Sequence, residues 1–479
     1  MTQMECPLVR AVKRFGAREA LRSGPIRWTY LDYNKQVNAW YFTLKEIGVG
    51  PKSKVAVYSP NHLAYAPLVI AVLHLNAVIC PINFRFPPSL VQKILRSINA
   101  KFIVTLDKYY HLLTRAGLKG VPLERFTVNK KVGLSSLWNR PVRSEQPLSI
   151  LFTSGTTDTP KAVLHTYGNH YYSARGANLN IPLLKNSRGL VSLPFYHIGG
   201  FALIFRALLG GATLVIPKPG ESVQEIILKY PLTHLSLVPT QLYRFLQNPV
   251  LVQRLKKMQA VLLGGEPLPE SLIAQAIQHG IPLKPTYGMT EMASQISTCK
   301  SLNQPGKLNS VGKVLRYREV KISKSGEILV RGKTLFSGYL ISNRLKIPYR
   351  KSGWFKTGDL GNKDKEGYLF FRGRKDNMFV SGGENIYPEE IEQVLCQIHP
   401  IKAAVVVPLP HQEYGYRPIA FILWRRKPLS PPILSKTLEQ KLPKFKIPDR
   451  FLSWPRIFKK KESKINRQRL IDFAEKKFN

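Results

Sequence analysis

Apolar and polar positions alternate with two different periods between residues 54 and 287. Short runs rich in β-branched residues are separated by longer stretches with the three-to-four-residue period of an amphipathic helix. The strands predicted from the short runs are 55–59, 102–106, 149–153, 189–193, 212–216, 234–238 and 260–263. The helices predicted between them include 63–74, 223–229 and 270–279. Because strands that alternate with helices indicate parallel βαβ units, we expect a large α/β region.

The pattern changes after residue 287, where proline and glycine become frequent. Two strands, 319–323 and 326–331, are predicted on either side of a short polar turn. A smaller α+β unit is predicted after residue 377. Its predicted elements are helices 388–396 and 435–442 and strands 403–407 and 419–424. We place the boundary near residues 374–376, which divides the chain into domains of residues 1–375 and 376–479.

The chain has 479 residues, and its apolar content of 44% is that of a protein with a buried core, which excludes a disordered or fibrous protein. The longest apolar stretch, 64–78, is interrupted by His74 and Asn76 and is shorter than the roughly 20 residues that span a bilayer. Residues 1–15 lack the apolar core of a secretory signal, and the four cysteines have no metal-ligand or disulfide-scaffold spacing. We therefore expect a soluble protein of the reducing cytoplasm.

The formal net charge is +43, from 72 lysines and arginines against 29 acidic residues. Clustered basic residues bind nucleic acid or anionic membranes, because they release counterions from phosphates. Here the basic residues are spread along the chain, and neither zinc spacing nor an RNA-binding aromatic motif accompanies them. We expect a solvated basic surface and no specific nucleic-acid partner. Weak association with anionic membranes stays open, and so does a homodimer.

The first candidate for chemistry is a hydroxyl-rich loop, residues 151–161, at the end of the predicted strand 149–153. Its hydroxyl and glycine positions are Thr153, Ser154, Gly155, Thr156 and Thr157, and it closes on Lys161. Backbone N–H groups and hydroxyls in such a loop can converge on phosphate oxygens, while the lysine adds a positive charge. The loop lacks the Gly-Lys-Ser/Thr ending of a Walker loop, and taken alone it would be interpreted as an ordinary surface turn.

Three further motifs change that interpretation. Tyr287-Gly-Met-Thr-Glu291 puts a hydroxyl and a carboxylate after a strand end. The stretch 354–360 carries Asp359 in a glycine-containing turn, and Arg374 and Asp376 precede the glycine-containing segment 381–391. In this order and spacing, the four motifs resemble the adenylate-forming superfamily of acyl-CoA synthetases, peptide-synthetase adenylation domains and luciferases, over nearly the whole chain.

The resemblance implies a large N-terminal domain of βαβ subdomains with a small β-barrel-like part, followed by a small mobile α+β domain that carries a catalytic lysine. It implies a two-step reaction, in which a carboxylate attacks ATP to give an acyl-adenylate and pyrophosphate, and a thiol of CoA then displaces AMP. Two anions meet in the first step, so cations and Mg²⁺ should matter more than acid or base catalysis.

The resemblance also assigns roles to residues. The loop would bind the β- and γ-phosphates, Thr290 would contact the α-phosphate, and Glu291 would ligate Mg²⁺. Asp359 would accept hydrogen bonds from the ribose hydroxyls, although a capped turn is the plainer interpretation of this residue alone. The implied ATP- and CoA-binding residues are Thr153, Ser154, Gly155, Thr156, Thr157, Lys161, Gly264, Gly265, Glu266, Tyr287, Gly288, Asp359, Arg374, Gly382 and Gly383.

The catalytic lysine is harder to place, because the usual Gly-Lys ending is absent and four lysines lie within six positions after residue 458. Matching the downstream Lys-Ile-x-Arg-Gln pattern selects Lys464. Lys461 is the alternative, because it lies at the more usual distance from Pro455. The expected catalytic residues are Lys464, Thr290 and His197.

The acid is indicated by the stretches 160–166, 193–206 and 287–295, which resemble those of 2-succinylbenzoate–CoA ligases of menaquinone biosynthesis. In that family a histidine followed nine residues later by an arginine lies in the acyl site, and here these are His197 and Arg206. The arginine would hold the carboxylate that does not react. Ser294 and Gln295 would complete the site. The plainer interpretations are a packing histidine and a surface arginine on a helix over 199–209.

Two alternatives remain. A CoA ligase for another aryl or fatty acid would have no need of Arg206. Asp158 stands where the family loop has glycine, which raises the second alternative, a degenerate adenylate-former retained as a binding protein.

Overall fold

The computed structural model describes residues 3–107, 109–110, 119–123, 141–153, 160–266, 268, 270–301, 307–349, 352–381, 384–411, 414–455 and 467–478. The helices are α1 Pro7–Phe15, α2 Tyr30–Glu46, α3 Tyr65–His74, α4 Pro88–Ser97, α5 Tyr167–Asn180, α6 Ile198–Gly210, α7 Val223–Lys229, α8 Pro239–Leu246, α9 Pro249–Lys256, α10 Glu270–Gln278, α11 Pro388–Cys396, α12 Pro431–Glu439 and α13 Arg467–Phe478.

The strands are β1 Gln3–Met4, β2 Glu19–Ser23, β3 Ile26–Thr29, β4 Lys54–Tyr58, β5 Val78–Ile82, β6 Phe102–Thr105, β7 Lys119–Pro122, β8 Val142–Arg143, β9 Pro147–Thr153, β10 Lys161–Thr166, β11 Arg188–Leu190, β12 Thr213–Val215, β13 His234–Leu237, β14 Ala260–Leu263, β15 Leu283–Met289, β16 Ser294–Thr298, β17 Lys313–Val314, β18 Arg318–Ile322, β19 Glu327–Gly332, β20 Gly338–Ile341, β21 Arg344–Lys346, β22 Phe355–Lys363, β23 Leu369–Arg374, β24 Phe379–Ser381, β25 Glu384–Ile386, β26 Ile401–His411, β27 Gly415–Trp424 and β28 Arg450–Ser453.

Two large sheets form the N-terminal part of the described chain. One has the order β21-β20-β10-β9-β5-β4-β6-β7, and the other has the order β17-β16-β15-β14-β13-β11-β12-β2-β3. Their central strands, such as β4 with β5 and β13 with β14, are parallel, because a helix crosses back between successive strands. The βαβ expectation is therefore confirmed.

Antiparallel partners are added where the motifs lie. β9 pairs with β10 around the hydroxyl-rich loop, and β15 pairs with β16 around residues 290–293. The part expected to be β-barrel-like is a four-stranded antiparallel sheet, β18-β19-β22-β23. The loop, the stretch 287–291 and the residues Asp359 and Arg374 therefore lie on these antiparallel additions.

The C-terminal unit is built on the three-stranded sheet β26-β27-β28, with α11 and α12 packed on one face and α13 on the other. The helix predicted over 435–442 is observed as α12, but its bounds were wrong, because the structure has Pro431–Glu439. Prolines occupy its first turn, where their missing N–H groups cost no helical hydrogen bond. The helix predicted over 199–209 is confirmed as α6, which ends before Gly211 in the left-handed conformation at φ 75°.

Each of the remaining strands predicted from the short runs overlaps an observed strand, and α3, α7 and α10 lie where helices were expected. Within the described ranges, no helix is both long and apolar enough to cross a membrane.

Candidate active site

A cavity of about 2610 Å³ is lined by both large sheets, the four-stranded sheet and the C-terminal unit. Ile398, Lys402, Arg425 and Trp454 are among the C-terminal residues that face it. The predicted site residues that line it are Thr153, Lys161, His197, Arg206, Gly264, Gly265, Glu266, Gly288, Thr290, Glu291, Ser294, Gln295, Asp359 and Arg374. Motifs that are far apart in the sequence therefore share one cavity.

A tight turn at residues 290–294, which we name the 290–294 turn, connects β15 to β16. It begins as a short 3₁₀ helix at Thr290–Met292. Ala293 and Ser294 then adopt positive φ angles of 52° and 111°, which are uncommon for residues other than glycine. The turn puts Thr290, Glu291 and Ser294 at one place in the cavity wall.

The Glu291 carboxylate is buried and oriented. Tyr339 on β20 donates its hydroxyl to Glu291 Oε1 at 2.7 Å. The ammonium group of Lys161 lies 5.7 Å from the centre of the Tyr339 ring, so the lysine that closes the hydroxyl-rich loop lies near the same carboxylate. Burial and the neighbouring Glu291 raise the pKa of Tyr339, so its hydroxyl stays protonated and donates.

Asp359 on β22 is the acceptor of a second buried cluster. It accepts a hydrogen bond from the Tyr287 hydroxyl at 2.6 Å and one from Arg374 Nη1 at 2.7 Å. The backbone register places Asp359 opposite Arg374, so strand pairing sets this ion pair. Burial raises the pKa of Asp359, and Arg374 and Tyr287 oppose that rise by stabilising the carboxylate.

Tyr287 has a different position from the one expected. Its hydroxyl is bonded to Asp359 and its ring lies 5.9 Å from that of Phe371. Among the described residues that line the cavity, its neighbours Thr286 and Gly288 are present and Tyr287 is not. Tyr287 therefore supports Asp359 from behind the wall.

Two of the expected glycines are required by close backbone approach. A Cβ on Gly264 would meet the Thr286 carbonyl oxygen at 2.5 Å, and a Cβ on Gly288 would meet that of Ser294 at 2.3 Å. Any larger residue would push the strand ends apart, so these glycines keep the wall thin where a flat ligand could lie.

Arg206 reaches the cavity from the third turn of α6 and is buried, with 4% of its surface exposed. Its Nε donates to Asn178 Oδ1 at 3.0 Å and its Nη2 donates to the Ile181 carbonyl at 2.7 Å. Within the described ranges these partners are all neutral. Burial accordingly lowers the pKa of Arg206 to about 10, so the guanidinium is still charged at neutral pH. The interpretation of Arg206 as a surface arginine is wrong.

The other residues of the expected acid site lie nearby. His197 immediately precedes α6 and faces the cavity from its open side. Gln295 is buried, and its amide Nε2 donates to Thr298 Oγ1 at 2.7 Å. Beside Arg206, burial and the arginine charge lower the pKa of His234 to about 4.

Comparison with known proteins agrees with this geometry. Residues 8–340 match the family described as AMP-binding enzyme. This chain belongs to the AMP-binding enzyme family. Similar curated relatives of this AMP-binding enzyme include the 2-succinylbenzoate–CoA ligase of Oceanobacillus iheyensis, which is 32% identical over 88% of this chain and 89% of the relative. The Bacillus pumilus ligase of the same name is 31% identical over 93% of both chains.

Solved structures extend the likeness to the whole fold. The o-succinylbenzoate CoA synthetase from Bacillus subtilis in complex with its acyl-adenylate intermediate is 28% identical, covers 98% of both chains and gives a TM-score of 0.87. The same synthetase in complex with ATP and a magnesium ion is 28% identical and gives a TM-score of 0.84, covering 94% of this chain and 96% of that one. The predicted resemblance and fold class are confirmed.

The donor set suits Mg²⁺ held largely by a nucleotide. Within the described ranges, no group of three or more His, Cys, Asp or Glu residues is arranged to hold a metal. Glu291 offers one oriented carboxylate to the cavity, beside Lys161 and Thr290. Mg²⁺ usually takes one or two carboxylates and completes its shell with phosphates and waters, so this site fits that cation.

Several predicted residues lie outside the described residues: Ser154, Gly155, Thr156, Thr157, Asp158, Gly382, Gly383, Lys461 and Lys464. Conversely, Tyr339, Asn178 and His234 were not predicted from the sequence. Tyr339 lies in no motif that was singled out, and a tyrosine in a strand has no chemical pattern that would have marked it.

Proposed function

We propose that this enzyme activates 2-succinylbenzoate with ATP and transfers it to CoA, giving 2-succinylbenzoyl-CoA, AMP and diphosphate. The observation that carries the choice of acid is Arg206, a buried cation at the cavity wall whose partners in the described chain are neutral. A buried charge without a counterion is costly, and a carboxylate of the substrate would compensate it. The names of the relatives give the same acid.

The nucleotide side follows from the two acidic clusters. Asp359, oriented by Tyr287 and Arg374, would accept hydrogen bonds from the ribose hydroxyls. Thr290 would contact the α-phosphate, and Lys161 with Thr153 would contact the outer phosphates. Glu291 would hold Mg²⁺, which when bound neutralises phosphate charge. Gly264, Gly265, Glu266 and Gly288 would line the adenine pocket.

The reaction itself needs little acid or base chemistry. One carboxylate oxygen of the substrate attacks the α-phosphorus, and the bond to the diphosphate leaving group breaks. Lys464 would offset the two anions that meet in this step, and His197 would line the path of the reacting carboxylate. The CoA sulfur, as thiolate, then attacks the acyl carbon, and AMP leaves with the electron pair of the broken bond.

The division of the chain supports separate poses for the two steps. The domains 1–375 and 376–479 would meet at a hinge near Asp376, which accepts a hydrogen bond from Arg374 at 3.4 Å. Lys464 would act in the adenylation pose. Gly382 and Gly383 would let the pantetheine arm pass in the transfer pose. Arg467, three residues after Lys464, is anchored by Glu392 at 2.5 Å, which fixes where the tail returns to the C-terminal unit.

Two further partners remain proposals. The net charge of +43 supports weak association with anionic membranes, and the hairpin of β20 and β21 exposes Ile341, Leu345 and Ile347 beside Arg344 and Lys346. Sedimentation with phosphatidylglycerol vesicles, but not with phosphatidylcholine vesicles, would support this. A homodimer, which analytical ultracentrifugation would reveal, and the cytoplasmic location stay predictions.

The test of the proposed function is diphosphate release from purified enzyme with Mg²⁺, ATP and 2-succinylbenzoate, followed by thioester formation when CoA is added. We expect AMP as the nucleotide product. ADP as product, or equal turnover of a long-chain fatty acid, would contradict the proposal. Failure to release diphosphate with any acid would favour the degenerate binding protein.

A further inference from the structure

Three backbone carbonyls of the 290–294 turn are bonded from behind by groups of other elements. The Glu291 carbonyl accepts from the backbone N–H of Phe336, which is a contact that any residue could make. The other two accept from buried side chains. His165 of β10 bonds the Thr290 carbonyl, and Ser173 of α5 bonds the Ala293 carbonyl. Neither side chain was given a role from the sequence.

His165 is fully buried. It lies on the same face of β10 as Lys161, which precedes it by four residues. Its Nε2 is 2.7 Å from the Thr290 carbonyl oxygen, so Nε2 carries the proton and donates. Its Nδ1 has no hydrogen-bond partner in the described part of the chain. Burial lowers the pKa of His165 to about 4, and the ring is therefore neutral during catalysis. Among the described residues, its hydrogen bonding is thus directed at the turn.

Ser173 holds the other end of the turn. Its hydroxyl donates to the Ala293 carbonyl at 2.5 Å. Behind it, Arg318 Nη2 donates to the Ser173 hydroxyl at 3.3 Å and to its carbonyl at 3.4 Å. Arg318 is itself buried, and burial lowers its pKa to about 9. The serine is thus kept in the orientation that donates toward Ala293.

The turn needs such support because of its backbone. Ala293 and Ser294 have positive φ angles, and non-glycine residues in that region persist only when the surrounding structure holds them. Thr290 and Glu291 lie at the start of the turn, on the nucleotide side. Ser294 lies at its end and is followed by Gln295, on the acid side. The two buried donors therefore act at opposite ends of the 290–294 turn.

We propose that His165 and Ser173 are positioning residues with separate tasks: His165 fixes the nucleotide end of the 290–294 turn, and Ser173 fixes the acid end. This inference rests on the proposed function, because it uses the roles given there to Thr290, Glu291 and Ser294. It predicts that losing one donor harms one substrate and spares the other.

The first arm uses the full-length enzyme and needs no turnover. Binding of α,β-methylene-ATP with Mg²⁺ is measured by isothermal titration calorimetry. His165→Met removes the donor at similar volume and should raise the Kd roughly 10-fold, the scale of one lost buried hydrogen bond. His165→Gln keeps an N–H near the Nε2 position and should stay within about threefold of wild type.

The second arm measures the KM for 2-succinylbenzoate by diphosphate release. Ser173→Ala should raise this KM roughly 10-fold and leave the Kd of the ATP analogue within about twofold. The matched control is Ser149→Ala, which also removes a buried hydroxyl. Ser149 bonds His170 Nε2 at 2.7 Å, and because it lies opposite His165 in the pairing of β9 with β10, it is a control for Ser173 only. The Ser149→Ala variant should have a lower melting temperature, and it should not raise the KM for 2-succinylbenzoate relative to the Kd of the ATP analogue.

The outcomes separate this inference from the proposed function. If the wild-type enzyme neither binds the ATP analogue nor uses 2-succinylbenzoate, the proposed function fails. If the wild type does both, but His165→Met and Ser173→Ala weaken both substrates equally, the two residues are only structural and the inference is overturned. The inference is also overturned if Ser149→Ala raises the KM for 2-succinylbenzoate selectively, as Ser173→Ala is expected to do.

Discussion

Arg374 and Arg206 reach the same cavity from different elements, β23 and α6. Arg374 has its counterion in the chain, since Asp359 lies 2.7 Å away and Asp376 lies 3.4 Å away, and nearly half of its side chain is exposed. Arg206 is almost fully buried, and the partners that the described structure gives it are an amide and a carbonyl.

Their pKa values differ in the same sense. Burial lowers the pKa of Arg374, but the carboxylates of Asp359 and Asp376 outweigh burial and place it above its ordinary value. For Arg206, burial acts alone and lowers the pKa to about 10. Arg374 therefore has counterions among the described residues, whereas Arg206 has none there and would gain one from a bound anion.

Under the proposed function, the difference between the two arginines indicates which of them would determine substrate choice. Arg374, which has its counterion in the chain, would keep Asp359 in place for a neutral ribose. Arg206, whose described partners are neutral, would select for a second negative charge on the acid. The largest effect, however, is expected from a cation that acts only while bonds change.

That cation is Lys464. Lys464→Ala should slow adenylate formation roughly 10²–10³-fold, the scale of one preorganised electrostatic group, and leave transfer from supplied acyl-adenylate to CoA intact. Single-turnover assays of each half-reaction measure this. Lys461→Ala is the matched control and should adenylate normally. The reverse result would mean that Lys461 is the catalytic lysine.

Arg206→Ala should raise the KM for 2-succinylbenzoate roughly 10²-fold, because a charge-assisted hydrogen bond is worth about 1.5–3 kcal/mol. Its effect on the KM for ATP should be small. Arg374→Ala should do the opposite, since it frees Asp359. Steady-state kinetics of both variants measure the two KM values. If either variant raised the KM for ATP and the KM for 2-succinylbenzoate equally, the contrast between the two arginines would be contradicted.

Stability should separate the two arginines as well. Asp359→Ala leaves the buried Tyr287 hydroxyl without its acceptor and removes the nearer counterion of Arg374, and should cost about 1–3 kcal/mol of unfolding free energy. Arg206→Met removes a buried charge that has no counterion in the described chain, and should stay within about 1 kcal/mol of wild type. Urea unfolding measures both. A large loss of unfolding free energy in Arg206→Met would show that the neutral partners of Arg206 are enough to stabilise its buried charge.

The last contrast concerns pH. His234 has a folded-state pKa of about 4, below the ordinary value near 6.5, so the unfolded chain binds a proton in that window and the folded chain does not. Stability from this group is complete above pH 6.5 and is lost as pH falls toward 4, by at most about 1.4 kcal/mol per pH unit. Arg206→Met should raise the His234 pKa in an NMR titration, and Arg374→Ala should not.

Much of this fold could be predicted from the sequence, because strand and helix periods are local properties. The periods predicted β4, β6, β9 and β11 to β14, but not the central strand β5. The residues Glu291 and Asp359 were named from their motifs and the family resemblance. Arg206 was named as a candidate, but its burial and its neutral partners depend on Asn178 and Ile181, which precede it by 25 residues or more. The sequence pattern contains no information on such contacts.

The supporting residues were missed for the same reason. Tyr339 and His165 act on Glu291 and Thr290 through strand register, and each resembles an ordinary strand residue in the sequence. The start of α12 was predicted at residue 435 and lies at Pro431, because two prolines occupy the first turn of the helix. Tertiary structure determines which strands pair and in which register. It also determines whether a proline lies in the first turn of a helix or before it.

The central claim is that Arg206 binds the carboxylate of the substrate that does not react. One comparison of substrates tests this claim most directly. We would measure kcat/KM with wild type and with Arg206→Met for 2-succinylbenzoate and for two analogues. Each analogue lacks one of the two carboxylates, and they are 4-oxo-4-phenylbutanoate and 2-butanoylbenzoate. We predict that wild type prefers the diacid roughly 10²-fold over the analogue that retains the reacting carboxylate, and that Arg206→Met reduces this preference to about one. An undiminished preference in the variant would contradict the claim.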